Sequence, residues 1–159
     1  MLWSDSSGKL QLYDFLGSGC HGDVWDLGNG KALKVAGAEF SKMVWKERAF
    51  YQDLFEHLIE TKYNFIVPLY DYHISKKFFG YTMAKLNPLP RKDRRVLDYW
   101  HTIGADDIDE VLNRAKHPQL LDLWSKIKRA DLKPFDLHGN NVLQDEQGNW
   151  KIIDVEALL

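Results

Sequence analysis

A glycine-rich loop that runs into a second strand, and not into a helix, limits what this chain can fold into more than any other feature. Gly17-Ser18-Gly19-Cys20-His21-Gly22-Asp23-Val24 follows Leu10-Gln11-Leu12-Tyr13-Asp14-Phe15-Leu16, whose alternation predicts a strand. Glycines at this spacing let backbone N–H groups approach phosphate oxygens closely. A dinucleotide-binding turn needs a helix to open inside the motif. Here Val24-Trp25-Asp26-Leu27 leads to the tight turn Gly28-Asn29-Gly30 and then to Lys31-Ala32-Leu33-Lys34-Val35. Strand, glycine loop, strand, turn, strand predicts an antiparallel sheet. Lys34 stands in an otherwise apolar strand, either as a surface residue at an alternating position or as a phosphate ligand.

The next segment, Glu39 to about Lys62, predicts one long amphipathic helix. Met43, Phe50, Leu54 and Leu58 recur at helical spacing, with Glu47 on the same face. A carboxylate on an apolar face needs a partner, and Lys34 is the natural one, with Glu39 in reserve. Asn64 to Tyr72 and Phe78 to Leu86 read as strands, and Asn87-Pro88-Leu89-Pro90 as a linker. Arg91-Lys92-Asp93-Arg94-Arg95 opens a helix to about His101 and reads as a solvated basic face. A second helix is expected from Gly104-Ala105-Asp106, and a third from Pro118 to about Ala130. Residues 1–9 read as a loose lead-in.

Near the C-terminus, Asp136-Leu137-His138-Gly139-Asn140-Asn141-Val142-Leu143 precedes a turn at Glu146-Gln147-Gly148-Asn149 and then Ile152-Ile153-Asp154. Such a hairpin brings oxygen-bearing side chains to one edge. Asn141 and Asp154 offer hard oxygen ligands to Mg²⁺, and Asp136 suits a group that takes a proton from a hydroxyl. The bland reading is turn chemistry alone. Composition sets few limits: 159 residues, 28% charged, net charge −2, and one cysteine, which excludes an internal disulfide. No run has transmembrane length and no charged-then-apolar leader opens the sequence. A cytoplasmic protein with neither membrane nor nucleic-acid partners is expected.

In order, a G-x-G-x-x-G-x-V loop, a strand Lys, an Asp with an Asn five residues on, and a last Asp resemble the protein kinase superfamily from about residue 10 onward. The resemblance implies an α+β, two-lobe fold. Residues 1–86 would form an N-lobe of five antiparallel strands and one long helix. Residues 87–159 would form a reduced, helical C-lobe carrying the catalytic hairpin, with ATP between the lobes. It implies Gly17, Gly19 and Gly22 at the phosphates, with Lys34 there too and paired to Glu47. Val24 and Ala32 would wall the adenine beside Met83, and the backbone of Ala84 to Leu86 would bond the base. Mg²⁺ would sit on Asn141 and Asp154, with Asp136 as the catalytic base. Asp131-Leu132-Lys133-Pro134 imitates the catalytic run but lacks an Asn at the right spacing, so Asp131 is read as a helix-end residue.

The departures matter as much. Pro134 and Phe135 replace the usual His and Arg, which implies no phosphorylation-sensing loop. His138 stands where Lys is common, and Asp154-Val155-Glu156 replaces D-F-G. Both resemble aminoglycoside- and choline-kinase-like enzymes. No activation segment or acceptor platform is expected after Asp154, although a second copy of the chain could supply one. The expected function is a minimal Ser/Thr protein kinase using ATP and Mg²⁺, with an unidentified protein substrate and the chain itself as one candidate acceptor. A small-molecule kinase, a nucleotide-binding pseudokinase acting as an interaction module, and AMP transfer stand beside it. Cys20, at the loop tip, reads as a tolerated small residue or a redox-sensitive one.

Overall fold

The computed structural model describes residues 2–4, 10–19, 21–104, 108–132 and 136–155, with backbone alone for 2–4 and 10–12. Cys20, Asp106, Lys133, Pro134, Phe135 and Glu156, named above, lie outside the described residues. The fold is α+β. The chain divides into two compact units, Met1–Tyr63 with Pro68–Lys85, and Asn64–Val67 with Leu86–Leu159.

In the first unit, β1 (Leu2–Ser4) pairs antiparallel with β2 (Leu10–Leu12), so part of the expected lead-in is a strand. Five further strands form an antiparallel sheet. They are β3 (Asp14–Gly19), β4 (Gly22–Gly28), β5 (Lys31–Ala36), β6 (Leu69–Ile74) and β7 (Phe79–Ala84), in the order β3-β4-β5-β7-β6. The turn between β4 and β5 has positive φ at Gly28, Asn29 and Gly30, which is why glycine and asparagine occupy it. Alternation sends Ala32, Lys34, Phe79, Tyr81 and Met83 to one face, where all are buried. Phe55 of the following helical segment packs against Phe79 and Tyr81 with ring centroids 5.5 and 5.0 Å apart.

That helical segment is not one helix. It is α1 (Ala38–Lys46) and α2 (Arg48–Thr61), interrupted at Glu47, whose φ of −105° and ψ of 26° leave the helical region. The buried stripe is Ser41, Val44, Tyr51, Phe55 and Leu58. Met43 and Phe50, expected in the core, are exposed, and so is Glu47. The aromatic cluster on β7 explains the choice. It accepts the rings of Tyr51 and Phe55, and the Ser41 hydroxyl takes the Phe79 N–H at 3.2 Å, fixing α1 against the strand.

In the second unit, β8 (Asn87–Pro88), β9 (Val142–Gln144) and β10 (Trp150–Ile152) form an antiparallel sheet in the order β10-β9-β8. The expected linker therefore contains a short edge strand, a position that tolerates proline. Residues 64–67 lie parallel to β10. Phe65 O accepts from Ile152 N–H, and Val67 N–H donates to Ile152 O, each at 2.9 Å. The helices of this unit are α3 (Arg91–Thr102), α4 (Ile108–Arg114) and α5 (Pro118–Arg129). Helix α5 forms where expected. His117 caps it, Pro118 opens it, and Leu120, Leu123, Trp124 and Ile127 make its buried stripe. The basic run is not simply a solvated face, because Asp93 within it is buried and bonded to His117.

Candidate functional site

The glycine motif is the hairpin between β3 and β4. Gly17 pairs with Val24 and Gly19 with Gly22. Only Gly22 is demanded by sterics: at φ +152° its Cβ would lie 2.1 Å from Val35 O, a backbone atom. Gly17 has open space where a side chain would stand, and Gly19 very nearly so. The hairpin is tied to α1 through the Gly37 N–H, which donates to His21 O at 3.1 Å. The His21 ring also stacks on Phe40 at 4.5 Å.

Register places Val24, Ala32, Lys34 and Met83, four of the residues expected at a nucleotide, on one face. Val24 lies opposite Lys34, Ala32 opposite Met83, and Lys34 opposite Tyr81. Lys34 is 9% exposed, with its ammonium 5.7 Å from the centre of the Tyr81 ring. An apolar wall of Val24, Ala32 and Met83 beside a lysine suits a flat base followed by phosphates. Glu47 does not join them. It is exposed at the break between α1 and α2, and among the described residues it makes no ion pair. The reserve candidate, Glu39, binds Lys42 at 2.7 Å, and Glu56 accepts from the Tyr72 hydroxyl at 2.9 Å.

The stretch expected to bond a base is partly engaged within the protein. Ala84 N–H donates to Pro68 O and Lys85 N–H to Gly30 O. The Lys85 ammonium also binds Asp26, and this bond, with that from Gly28 N–H, holds the Asp26 carboxyl below its ordinary range. Leu86 belongs to the second unit.

In that unit, Asp136 opens a loop that ends at Asn141. Its φ is +54°, a left-handed conformation that Asp tolerates better than most residues but still at a cost. Asn141 Nδ2 donates to Asp136 O at 2.9 Å and stands 3.5 Å from Oδ2, while His138 N–H also donates to Asp136 O. The carboxylate is approached by two imidazoles. His138 Nε2 is 3.6 Å from Oδ2 and His101 Nε2 is 3.5 Å from Oδ1. His138 Nδ1 accepts the Asn140 N–H at 3.2 Å, so its ring hydrogen sits on Nε2, facing Asp136. The Asp136 side chain remains 48% exposed.

Asp154 is buried, and Ile153 N–H donates to Asn141 O at 3.0 Å, which brings its chain beside Asn141. With Asn141 Nδ2 turned to Asp136, Oδ1 is the amide oxygen open to a cation. One carboxylate and one amide oxygen suit the partial protein ligand set that Mg²⁺ takes when phosphates supply the rest. No group of three or more His, Cys, Asp or Glu side chains placed to hold a metal is found among the described residues. Asp131, expected at a helix end, follows α5 in left-handed backbone.

His101 was not legible as a site residue. It sits 35 positions before Asp136 on a helix, and its one signal was a histidine near the end of that helix. The chain matches no family model and no curated protein. Among the described residues, no helix is long and apolar enough to cross a membrane.

Proposed function

We propose that this chain is a kinase-like phosphotransferase that moves the γ-phosphoryl group of ATP, with Mg²⁺, to a Ser or Thr hydroxyl of a protein. The observation that carries the reading is the Asp136–Asn141 loop. There an exposed carboxylate is held in costly left-handed backbone by an Asn side chain, and strain of this kind gathers at working sites. The sheet order and the face shared by Val24, Ala32, Lys34 and Met83 support the nucleotide half.

In this reading the hairpin Gly17–Gly22 offers backbone N–H groups to phosphate oxygens, and Lys34 offers its ammonium. Val24, Ala32 and Met83 give apolar surface to the base. Asn141 and Asp154 hold Mg²⁺, which when bound neutralises phosphate charge. Asp136 orients the acceptor hydroxyl and takes its proton as the oxygen bonds to phosphorus and ADP leaves. Catalysis is positioning and charge stabilisation.

The exposure of Glu47 favours a second reading, a nucleotide-binding module without transfer, because Glu47 sits at the break between α1 and α2 and not on the buried face where the kinase resemblance puts it. Labelled γ-phosphate from Mg-ATP separates the two, with host extract as acceptor and Asp136→Ala beside the wild type. Label on protein from the wild type alone supports the kinase. ATP binding without transfer moves the assignment to the module. Equal transfer from both removes Asp136 from the mechanism.

A further inference from the structure

Arg94, Asp98 and His101 recur at spacings of four and three along α3, and all three meet the loop that carries Asp136. A Cβ on residue 139 would lie 2.0 Å from Arg94 Cγ, so the helix closes on the loop where only glycine fits. Asp98 Oδ1 accepts the Gly139 N–H at 2.8 Å. His101 Nε2 reaches to 3.5 Å of Asp136 Oδ1. The adjacent stripe of α3, Asp93, Leu97 and Trp100, is buried. One stripe thus anchors the helix while the next is shaped to the loop.

The two oxygens of Asp136 are not equivalent. Oδ2 has two nitrogens near it, His138 Nε2 at 3.6 Å and Asn141 Nδ2 at 3.5 Å. Among the described residues, Oδ1 has only His101 Nε2. A carboxylate oxygen has two lone-pair directions, so Oδ1 keeps one open. These separations lie beyond ordinary hydrogen-bond length, and such contacts in a free enzyme tighten as substrate seats.

We propose that Oδ1 receives the acceptor's proton and that His101 is the positioning residue that aims it. The assignment rests on the reading of Asp136 as the group that takes that proton. The acceptor O–H bond breaks, its proton goes to Oδ1, and the freed electron pair forms the bond to phosphorus as the bond to ADP breaks. His101 donates from Nε2 to the other lone pair of Oδ1 and stops the exposed carboxylate from turning. It does not touch the phosphoryl group.

The test is steady-state phosphoryl transfer by wild type, Asp136→Ala, His101→Ala, His101→Phe and His101→Gln. His101→Ala should lower kcat by about tenfold with the KM for ATP unchanged, as expected when only orientation is lost. His101→Gln, whose amide can donate from a similar position, should recover most of the rate, and His101→Phe, which keeps bulk without a donor, should not. Recovery by Phe and not by Gln would reduce His101 to packing and overturn the proposal. Full activity in His101→Ala beside an inactive Asp136→Ala would overturn this assignment while leaving the kinase reading intact. No transfer by the wild type would remove both.

Discussion

Among the described residues of the second unit, two of the carboxylate–imidazole contacts, His117–Asp93 and His138–Asp136, are built on one plan and set in different surroundings. His117 Nδ1 accepts the Leu120 N–H at 3.4 Å and its Nε2 faces Asp93 Oδ1 at 3.2 Å. His138 Nδ1 accepts the Asn140 N–H and its Nε2 faces Asp136 Oδ2. In both, a backbone donor sets the tautomer and points a ring N–H at a carboxylate. The surroundings differ. The Asp93 side chain is 7% exposed, and His117 stacks on Trp150 with centroids 5.3 Å apart. That pair joins α3 to the start of α5, and the difference lies in its carboxylate, since the two imidazoles are equally exposed, at 26%. Asp136 lies open to solvent on strained backbone. A buried pair holds elements together, whereas an exposed one adds little stability and leaves its carboxylate free to react.

Four experiments bear on this contrast. The largest effect is expected from Asp136→Asn, with transfer falling by about 10²–10⁴-fold. Its thermal midpoint should move by no more than about 2 °C, because Asn also tolerates left-handed backbone. A large loss of stability would mean that the exposed pair is structural after all. Asp93→Ala should do the reverse. Losing the buried carboxylate that the His117 N–H faces costs about 1–3 kcal/mol, a drop of roughly 2–12 °C for a chain this size, measured by calorimetry. An unchanged midpoint would erase the distinction drawn between the pairs.

Gly139→Ala falls between them and should lose both stability, by about 1–3 kcal/mol, and transfer. Arg94 Cγ is the main obstacle, so Arg94→Ala in the same chain should return part of the stability, and strictly additive losses would argue against the close approach. The smallest effect concerns Asp145, a carboxylate satisfied without an imidazole. Burial raises its pKa, but the bonds from Asn149 and the charge of Lys151 outweigh this, so its carboxyl sits below the ordinary range. Its contribution is therefore complete above the unfolded pKa of about 4 and lost as pH falls through the folded value. Denaturant unfolding of Asp145→Asn should show a flatter acid limb than the wild type, and parallel limbs would exclude the effect.

Much of the sheet was readable because its signals are local. Gly28-Asn29-Gly30 demands a turn, and Ala32, Lys34 and Val24 follow from alternation. Pro118 announces its helix in the same way. The interruption at Glu47 was not readable, since Lys46-Glu47-Arg48 contains neither glycine nor proline. Nor was the buried face of that segment. The stripe through Met43 and Phe50 and the stripe through Val44 and Tyr51 have the same period, and the rings of β7 decide between them. His101 failed for a related reason: its partner is distant in sequence, and nothing within its own helix points to it. Local chemistry is written in neighbouring residues, while choices between equivalent faces are made by what packs against them.

The segment Asn64–Val67 has a consequence for how the chain is made. Phe65 and Val67 bond through their backbones to Ile152, and the Asn64 carbonyl accepts from Lys151, 87 residues further along. On the ribosome, Phe65, Ile66 and Val67 emerge early and must wait for β10 to be synthesised. Throughout that interval an apolar, strand-forming stretch lacks its bonds to β10, a condition under which nascent chains seek one another. Slowing synthesis between β6 and β10 should therefore raise the share of protein lost to inclusion bodies, without any change in the finished fold.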